Sequence, residues 1–241
     1  MRKYKERFKI FKDVFSESTM RTIYKLSSDG YIDYIIGPIS TGKEANVFLG
    51  KNFDGEPIAI KIYRIETSNF NNMWKYIYND PRFEKVKKRK RDIVFAWAKK
   101  ELKNLTIAFD AGVNVPEPMA LRNNVLIMGF IGNDDIPAPV AKDRPPKNPN
   151  RWLKEILNSI KRMYDVNLIH GDISEYNILN FKDVPYIIDF GQGIVKESPL
   201  AEELLRKDIN NILKWMKKLG VKTPNFEKIY KEITKGNIKN G

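Results

Sequence analysis

Alternating hydrophobic and polar positions predict several short strands in the first half of the chain. Three runs rich in β-branched and aromatic residues lie at 31–39, 45–50 and 57–63, and glycine-containing turns separate them. A further strand is expected within 123–132, before a glycine-bounded connection. The first three runs follow one another closely, so they are predicted to form an antiparallel meander.

A period close to 3.6 in the apolar positions predicts helices elsewhere. One is expected over 13–28, with Ser18 or Thr19 as its N-terminal cap, and a longer one over 93–109. The second half is predicted to be mostly helical, with one strand within 184–193 and helices at 152–164, 201–219 and 226–234. The pattern therefore predicts an α+β protein, mostly β in its first part and mostly α in its second.

The whole chain, 1–241, is interpreted as one two-lobed domain with a crevice between the lobes. Its proline-rich connection, 129–150, is typical of a boundary between compact units. The other expected parts are an N-terminal helical segment at 1–30, an N-lobe at 31–128 with a polar insertion loop at 66–92, and a C-lobe at 151–241. Within the insertion loop, the run WKYIY allows a short helix.

Composition excludes several classes of protein. Hydrophobic residues make up 42% of the 241 residues and aromatic residues 12%, which excludes a disordered chain. No apolar run approaches the ~20 residues needed to cross a bilayer, and the first residues lack the apolar stretch of a secretory signal. Cysteine is absent and histidine occurs once, so disulfides, thiolate sites and histidine-based metal centres are not expected. A cytoplasmic protein without a membrane partner is expected.

Basic residues exceed acidic ones by 43 to 30, which gives a net charge of +13. Such an excess attracts polyanions such as nucleic acid, although solvated charges in a lysine-rich, heat-adapted protein would give the same total. The distribution is more informative, because residues 82–91, here called the basic segment, contain Lys85, Lys87, Lys88, Arg89, Lys90 and Arg91. Contact with RNA through this segment is one hypothesis, and a solvated run of charge is the other.

The strongest chemical signal is the run HGDISEYN at 170–177, followed by DFG at 189–191. Phosphoryl transfer needs a carboxylate that orients an attacking hydroxyl or water, and it needs hard oxygen ligands for Mg²⁺. Asp172 fits the first role, and Asn177 and Asp189 fit the second. Each piece alone could be an ordinary turn, but their order and spacing match the signature of protein kinases.

Lys61 is the only charged residue in the apolar run 57–63. A lysine there could extend to solvent from an edge strand. In kinases, however, a strand lysine binds the α- and β-phosphates of ATP and pairs with a helix glutamate. Glu101, on the next long predicted helix, is the candidate partner. Lys61, Asp172 and Asp189 are therefore the predicted catalytic residues.

Residues 37–43 nearly spell a Walker A loop, which would indicate a P-loop NTPase. That motif requires Ser or Thr after its lysine and then a helix, whereas Glu44 and a strand-like run follow here. The segment is interpreted instead as a turn between two strands that covers the phosphates of a nucleotide. Its expected nucleotide contacts are Ser40, Thr41, Gly42 and Lys43.

Further contacts with the nucleotide are predicted where the two lobes meet. Met128, Phe130 and Ile131 mark the expected hinge, whose backbone would bond the adenine. Glu175, in the same loop as Asn177, completes the predicted contacts.

Little chain is left for a conventional activation segment. Helices are predicted almost immediately after Pro199, and no A-P-E motif follows Gly191. A peptide-binding subdomain is therefore not expected either. Gly171 stands where typical kinases carry an arginine that pairs with an activation-loop phosphate, so no switch of that kind is expected. His170 is expected to pack the loop rather than to act as acid, base or metal ligand.

On these residues the chain resembles the RIO family of atypical serine/threonine protein kinases. The resemblance extends from about residue 13 to 220, and STGKEA with the long segment after IKIYRIE is typical of the type-one branch. The residues before Ser40 are too few for the winged-helix domain of the type-two branch. The motifs that carry the resemblance are STGKEANVF at 40–48, IKIYRIETSNF at 60–70, VLIMGFIGNDDIPAP at 125–139, HGDISEYNIL at 170–179 and IDFGQ at 188–192.

The resemblance implies a trimmed two-lobed kinase fold, with Asp172 as catalytic acid or base and Asn177 and Asp189 on the metal. It implies use of ATP with Mg²⁺, for which Mn²⁺ could substitute, and a role in maturing the small ribosomal subunit, whose precursor and rRNA would be partners. An aspartyl-phosphate would fall on Asp189. Two departures are that Gly129 replaces an expected acidic hinge residue, and that residues 85–92 hold no Ser, Thr or Tyr for autophosphorylation.

Three functions remain open from the sequence. They are a serine/threonine kinase acting on another protein, an ATPase switch that cycles on the preribosome, and an ATP-binding scaffold with little turnover. The complete catalytic and metal-binding set argues against the scaffold, and the missing peptide platform favours the ATPase over the kinase. A small kinase of the tRNA-modification family also lacks an activation segment, but the motif at 40–48 argues against it.

Overall fold

The computed structural model describes residues 15–66 and 68–235, and these contain a five-stranded antiparallel sheet. Its strands are β1 (Tyr34–Thr41), β2 (Ala45–Lys51), β3 (Pro57–Tyr63), β4 (Pro118–Arg122) and β5 (Val125–Gly129). Their order across the sheet is β1-β2-β3-β5-β4, and every neighbouring pair is antiparallel. The predicted meander and the predicted later strand are confirmed.

Strand β4 is absent from the elements that the sequence predicts. It begins at Pro118, and its five side chains are half-buried or exposed without alternation. It lies at the edge of the sheet, where it pairs only with β5. Gly129 N–H extends this pairing by donating to Glu117 O at 2.8 Å. Pairing with β5, rather than a local pattern, therefore forms this strand.

Helix α1 (Glu17–Ser28) covers one face of the sheet. The side chains of Ile58, Ile60 and Ile62 in β3 share a core with Ile23 of the helix. Successive residues of a strand point to opposite faces, so the residues between these isoleucines face the other side. Lys61 is therefore directed away from α1.

Ser16, rather than Ser18 or Thr19, caps α1. Its hydroxyl accepts a hydrogen bond from the Thr19 N–H at 3.4 Å. Thr19 is buried, and its hydroxyl accepts instead from the side-chain amide of Asn124 at 3.0 Å. Ser18 and Thr19 both lie within the first turn of the helix, so neither is its cap. The helix was expected over 13–28, and residues 13 and 14 lie outside the described part of the chain.

The segment 66–92 contains helices rather than one continuous loop, so the prediction of an insertion loop is wrong at these helices, whereas the short helix that was allowed at WKYIY is confirmed within Phe70–Tyr78. Met73, Tyr76 and Ile77 are buried, and the Tyr76 ring lies 6.0 Å from that of Trp97 in an edge-on contact. Polar and basic residues surround these apolar positions in the sequence, so the pattern of a helix is weak there. A helix of nine residues depends on packing for its stability. The observed elements are α2 (Phe70–Tyr78), a 3-10 turn (Pro81–Phe83) and the start of the long helix α3 (Lys90–Asp110).

The second half of the chain is mostly helical, as predicted. The short segment 193–200 separates the 3-10 turn at Phe190–Gln192 from the next helix, which leaves no room for a conventional activation segment. The elements are a hairpin of β6 (Gly132–Asn133) and β7 (Ile136–Pro137), α4 (Pro149–Asp165), a hairpin of β8 (Ile178–Phe181) and β9 (Val184–Ile187), α5 (Ala201–Lys218) and α6 (Phe226–Thr234).

One hydrophobic core joins the α3 face of the sheet to the helical half. It contains Leu126 of β5, Trp97 of α3, Trp152 of α4 and Trp215 of α5. The last two rings pack edge-on with 6.2 Å between centroids. The predicted α+β, kinase-like architecture is confirmed. Within 15–66 and 68–235, no helix has the length and apolarity to span a bilayer.

Candidate functional site

A cleft of about 750 Å³ opens between the sheet and the loops of the helical half. Its walls join the β1–β2 turn, the strand β3, the helix α3 and the segments that flank β8 and β9. Thr41, Asp172 and Glu175 are not among its lining residues. The predicted site residues that line it are Ser40, Gly42, Lys43, Lys61, Glu101, Met128, Phe130, Ile131, Asn177 and Asp189.

Lys61 lies on the cleft side of β3 and meets two carboxylates. Its Nζ donates to both oxygens of Glu101, at 2.7 and 2.9 Å, and lies 3.1 Å from Asp189 Oδ1. Glu101 comes from α3, and Asp189 comes from the segment after β9. Three elements that are remote in sequence therefore meet at one ammonium. The pairing of Lys61 with Glu101 that the sequence suggests is therefore present.

Burial and charge act in opposite directions on these three residues. Burial would lower the pKa of Lys61, but Asp189 and Glu101 outweigh it and raise that pKa above its ordinary value. Lys61 in turn lowers the pKa of Asp189. Burial raises the pKa of Glu101 despite the adjacent ammonium. Lys61 is therefore charged and Asp189 ionised at neutral pH, which is the state that a metal-binding carboxylate needs.

Tyr63 and Glu44 are among the cleft-lining residues that sequence reasoning missed. Tyr63 is buried two positions after Lys61 in β3, and its hydroxyl donates to Glu101 Oε2. The period of two in β3 was the signal that could have found it. Glu44 lines the cleft beside the β1–β2 turn, where burial and then the charge of Asp189 raise its pKa. In the sequence, Glu44 excludes a Walker A loop and belongs to the motif at 40–48, but neither feature indicates that its side chain lines the cleft.

Asp172 and Asn177 are hydrogen-bonded across the loop that separates them. Asn177 Nδ2 donates to the backbone oxygen of Asp172 at 2.8 Å and to its Oδ2 at 3.0 Å. The amide oxygen of Asn177 is then the atom available to a cation. The Asp172 carboxylate also accepts from Gln192 Nε2 at 3.1 Å and from Lys207 Nζ at 2.9 Å. Sequence motifs gave no indication of Lys207, which comes from α5.

Asp208, the neighbour of Lys207 on α5, holds the backbone of the same loop. Its two carboxylate oxygens accept from the N–H groups of Gly171 and Ile173, at 2.7 and 2.8 Å. These amides flank Asp172, so the contact fixes its backbone on both sides. Burial raises the pKa of Asp208 to about 7, although both N–H donors favour the ionised form.

His170 packs the start of this loop, as the sequence suggested. Its ring is buried and lies edge-on to Phe190, with 4.6 Å between centroids. Nδ1 accepts from the Asp172 N–H at 3.2 Å, which leaves Nε2 to donate to Ile188 O at 3.1 Å. Burial lowers the pKa of His170, so the ring is neutral at pH 7. Both nitrogens are thus used in holding the two motifs together.

The backbone around Asp189 is shaped by its close approach to α3. Asp189 has a φ of 68°, a left-handed conformation that is uncommon for residues other than glycine. At Gly191, an added Cβ would lie 2.6 Å from the Trp97 indole. Only glycine therefore lets this turn pack against the helix that carries Glu101.

A family model described as RIO domain matches residues 46–229, which include both motifs and most of the cleft-lining residues, but not those at the β1–β2 turn. The chain belongs to the RIO family. This confirms the resemblance that the motifs had suggested.

Relatives named as kinases support the type-one branch. The RIO-type serine/threonine-protein kinase Rio1 of Haloferax volcanii is 41% identical over 89% of this chain and 74% of that protein. Rio1 of Methanocaldococcus jannaschii is 39% identical over 97% of this chain and 80% of that protein. Human serine/threonine-protein kinase RIO1 is 36% identical over 93% of this chain, which spans 40% of the human protein. The chain is a type-one RIO serine/threonine kinase.

Solved structures of Rio2 kinase from Chaetomium thermophilum share the fold. One has a TM-score of 0.70 at 20% identity and covers 93% of this chain and 70% of that one. Another, described as an ADP/Mg²⁺-phosphoaspartate complex, has a TM-score of 0.67 at 21% identity. It covers 90% of this chain and 66% of that one. At such identities the likeness shows the fold alone.

The raised pKa of Asp208 predicts a stability that depends on pH. The carboxyl binds its proton more tightly in the folded protein, where its pKa is about 7, than in the unfolded chain, where 3.8 is ordinary. Its contribution to the free energy of unfolding is therefore present below about pH 4 and lost as the pH rises through 7. The full difference corresponds to roughly 4 kcal/mol.

Urea unfolding of the wild type and of Asp208→Asn, compared at each pH, measures this contribution. Between acid and neutral pH, the free energy of unfolding of the wild type should fall by up to roughly 4 kcal/mol relative to that of the variant. The variant also loses one acceptor for a backbone N–H, but this offset does not depend on pH. A constant difference across the range would contradict the prediction.

Proposed function

We propose that this protein binds ATP with Mg²⁺ in the cleft and transfers the γ-phosphoryl group. The observation that carries the proposal is the position of Lys61 Nζ between Glu101 and Asp189, in a cleft that Asn177 also lines. A cation for the phosphates and two oxygen donors for a metal thus face one space. This is the set of groups that phosphoryl transfer requires.

The adenine would lie against the connection after β5. Ile131 O already accepts from the Ala138 N–H at 2.9 Å, so the Ile131 N–H is the group that we assign to the base. Ser40, Gly42 and Lys43 of the β1–β2 turn would cover the phosphates, and Lys61 would bind the α- and β-phosphates. Thr41 is exposed at the end of β1 and Glu175 is half-buried in the loop that carries Asp172, and neither lines the cleft, so we assign them no more than peripheral contacts with the nucleotide.

Asn177 and Asp189 are suited to hold Mg²⁺. Such sites use one or two carboxylates, with water and substrate phosphates completing the coordination. The Asp189 side chain is half exposed to the cleft and has a lowered pKa. Across the described ranges, no cluster of three or more His, Cys, Asp or Glu suits a metal, so the phosphates would share this ion. When bound, Mg²⁺ offsets charge on the transferring phosphate, and Mn²⁺ prefers similar ligands.

Asp172 would act on the attacking hydroxyl or water. Its carboxylate, oriented by Asn177, Gln192 and Lys207, would take the proton as the attacking oxygen bonds to the γ-phosphorus. The bond from that phosphorus to the β-phosphate oxygen breaks at the same time, and ADP leaves with the electron pair.

We propose an ATPase switch in small ribosomal subunit maturation as the main activity, beside the kinase activity typical of the family. The short segment 193–200 offers little surface to a peptide, which supports this choice. The Rio2 structure is described as containing a phosphoaspartate. In this chain, Asp189 is the carboxylate that we assign to such a step: it would attack the γ-phosphorus, release ADP, and then lose its phosphoryl group to water.

The basic segment would contact ribosomal RNA of the small-subunit precursor in the cytoplasm. Its cations from Lys87 to Arg91 are exposed, at the point where α3 begins. Lys88 Nζ lies 5.7 Å from the ring centre of Trp74, and Lys90 Nζ lies 5.2 Å from that of Phe70. Cations beside aromatic faces are typical of surfaces that bind single-stranded nucleic acid.

Replacement of Lys61 should weaken nucleotide binding. Lys61→Ala removes the cation for the phosphates, and hydrogen bonds to charged groups contribute about 1.5–3 kcal/mol. We therefore expect the affinity for Mg-ATP, measured by calorimetry, to fall by at least about tenfold. Lys99→Ala, an exposed lysine on α3, is the control and should leave the affinity unchanged. Equal effects from the two variants would exclude the assignment.

Replacement of Asp172 should affect turnover alone, whereas replacement of Asp189 should affect Mg²⁺-dependent ATP binding as well. Asp172→Asn should keep ATP binding and lower turnover by about 10²–10⁴-fold, because the proton acceptor acts only in the transition state. Asp189→Ala should also lose the Mg²⁺-dependent part of binding. ATP hydrolysis with and without small ribosomal subunits, and transfer to protein Ser/Thr, report turnover.

Trapping during turnover tests the covalent step separately. Hydroxylamine-sensitive label on Asp189 would support it. Label that is confined to hydroxyl side chains would favour a kinase alone.

The basic segment predicts a strong salt dependence for small-subunit binding. Each cation on a phosphate contributes roughly 0.7–0.9 to the slope of log affinity against log salt. Changing Lys87, Lys88, Arg89 and Lys90 to Ser should therefore flatten the slope by about two to four, with ATP affinity of the free protein unchanged. An unaltered slope would assign these charges to solvent.

A further inference from the structure

A fully buried lysine lies next to Glu101 and has no part in the proposed chemistry. Lys100 of α3 is 0% exposed. Its Nζ lies 3.0 Å from Asp80 Oδ2 and donates to the carbonyl oxygen of Gly193. Asp80 is also fully buried, just before the Pro81–Phe83 turn. Arg82 donates to both of its carboxylate oxygens, at 2.8 and 2.6 Å.

Burying these charges is costly. Burial lowers the pKa of Lys100 to about 8 in spite of Asp80. Burial also opposes ionisation of Asp80, and only Arg82 and Lys100 bring its pKa below the ordinary value. Apolar residues in place of a buried ion pair are often neutral or stabilising. A gain in the free energy of unfolding therefore does not explain why a lysine occupies position 100. The contacts that its ammonium makes with Asp80 and Gly193 are the better explanation.

The ammonium holds the end of the turn that begins at Asp189. A second side chain of α3 holds the same turn, because Asn104 Nδ2 donates to Phe190 O at 2.9 Å and to Gly193 O at 2.7 Å. An added Cβ at Gly193 would lie 2.8 Å from that nitrogen, so the approach is close. Carbonyl groups at both ends of the turn are thus attached to α3.

We propose that Lys100 is a positioning residue for the metal-binding carboxylate of Asp189. Together with Asn104 it anchors the turn after Asp189 to α3, and Asp80 keeps its ammonium in place. The adjacent Glu101 holds Lys61, so neighbouring residues of one helix orient both members of the Lys61–Asp189 pair. The inference rests on the proposed function, because it requires that Asp189 bind Mg²⁺.

Lys100→Met tests this role, since methionine has a similar length and no charge. Asp80 keeps Arg82 in the variant, so no buried carboxylate is left without a cation. We expect the Mg²⁺ concentration for half-maximal ATP binding to rise by about 10–100-fold, as when other groups that orient metal ligands are removed. ATP affinity in EDTA should stay unchanged. Lys99→Met, at the exposed neighbouring position, should leave both values as in the wild type.

Hydrogen exchange separates positioning from a general loss of stability. In Lys100→Met, the amides of residues 190–194 should exchange faster while those of α5 keep their wild-type rates. Asn104→Leu is the second variant if Lys100→Met does not fold, because leucine has a similar shape and removes a buried amide oxygen without a partner. It should raise the Mg²⁺ requirement in the same direction.

The outcomes are distinct. A wild-type Mg²⁺ response in the folded variants would overturn the inference and leave the proposed function intact. Faster exchange throughout the protein, with no selective change at 190–194, would also overturn it. Absence of Mg²⁺-dependent ATP binding in the wild type would instead refute the proposed function, and the inference with it.

Discussion

The charge of Lys61 imposes the main constraint on this structure. A lysine that is 8% exposed is costly unless carboxylates surround it. Its two partners, Glu101 and Asp189, come from a helix and from a turn that no local interaction brings to β3. The sheet, α3 and the helical half must therefore take up one arrangement before the ammonium is satisfied. The cleft is the space that this arrangement encloses.

Helix α3 transmits this constraint to the rest of the site. Within about two turns it presents Trp97 to Gly191, Lys100 and Asn104 to Gly193, and Glu101 to Lys61. A helix is stiff over this length, so these contacts cannot shift independently. Groups that are already aimed at the position of the developing charge need little reorganisation during the reaction, which is how electrostatic preorganisation lowers a barrier.

Helix α5 has a matching role for the loop that carries Asp172. Asp208 binds the backbone around Asp172, and Lys207 binds its carboxylate. The raised pKa of Asp208 shows that this arrangement opposes stability near neutral pH. Loss of stability at a functional site is common in proteins, because groups that act on a substrate must be held in position before the substrate binds.

The sequence by itself determined the fold family and identified ten of the residues that line the cleft. The spacing of Asp172, Asn177 and Asp189 is a property of one short stretch, and the apolar neighbours of Lys61 reveal its strand without reference to the rest of the chain. Tertiary structure alone decided the full extent of the helix α2, the edge strand β4, and the partners of Tyr63 and Lys207. Each of these depends on a partner far away in the chain: α2 on Trp97, β4 on β5, Tyr63 on Glu101, and Lys207 on Asp172. Local propensity carries no information about such partners, because the free energy that selects them arises only when distant segments exclude water from a common surface.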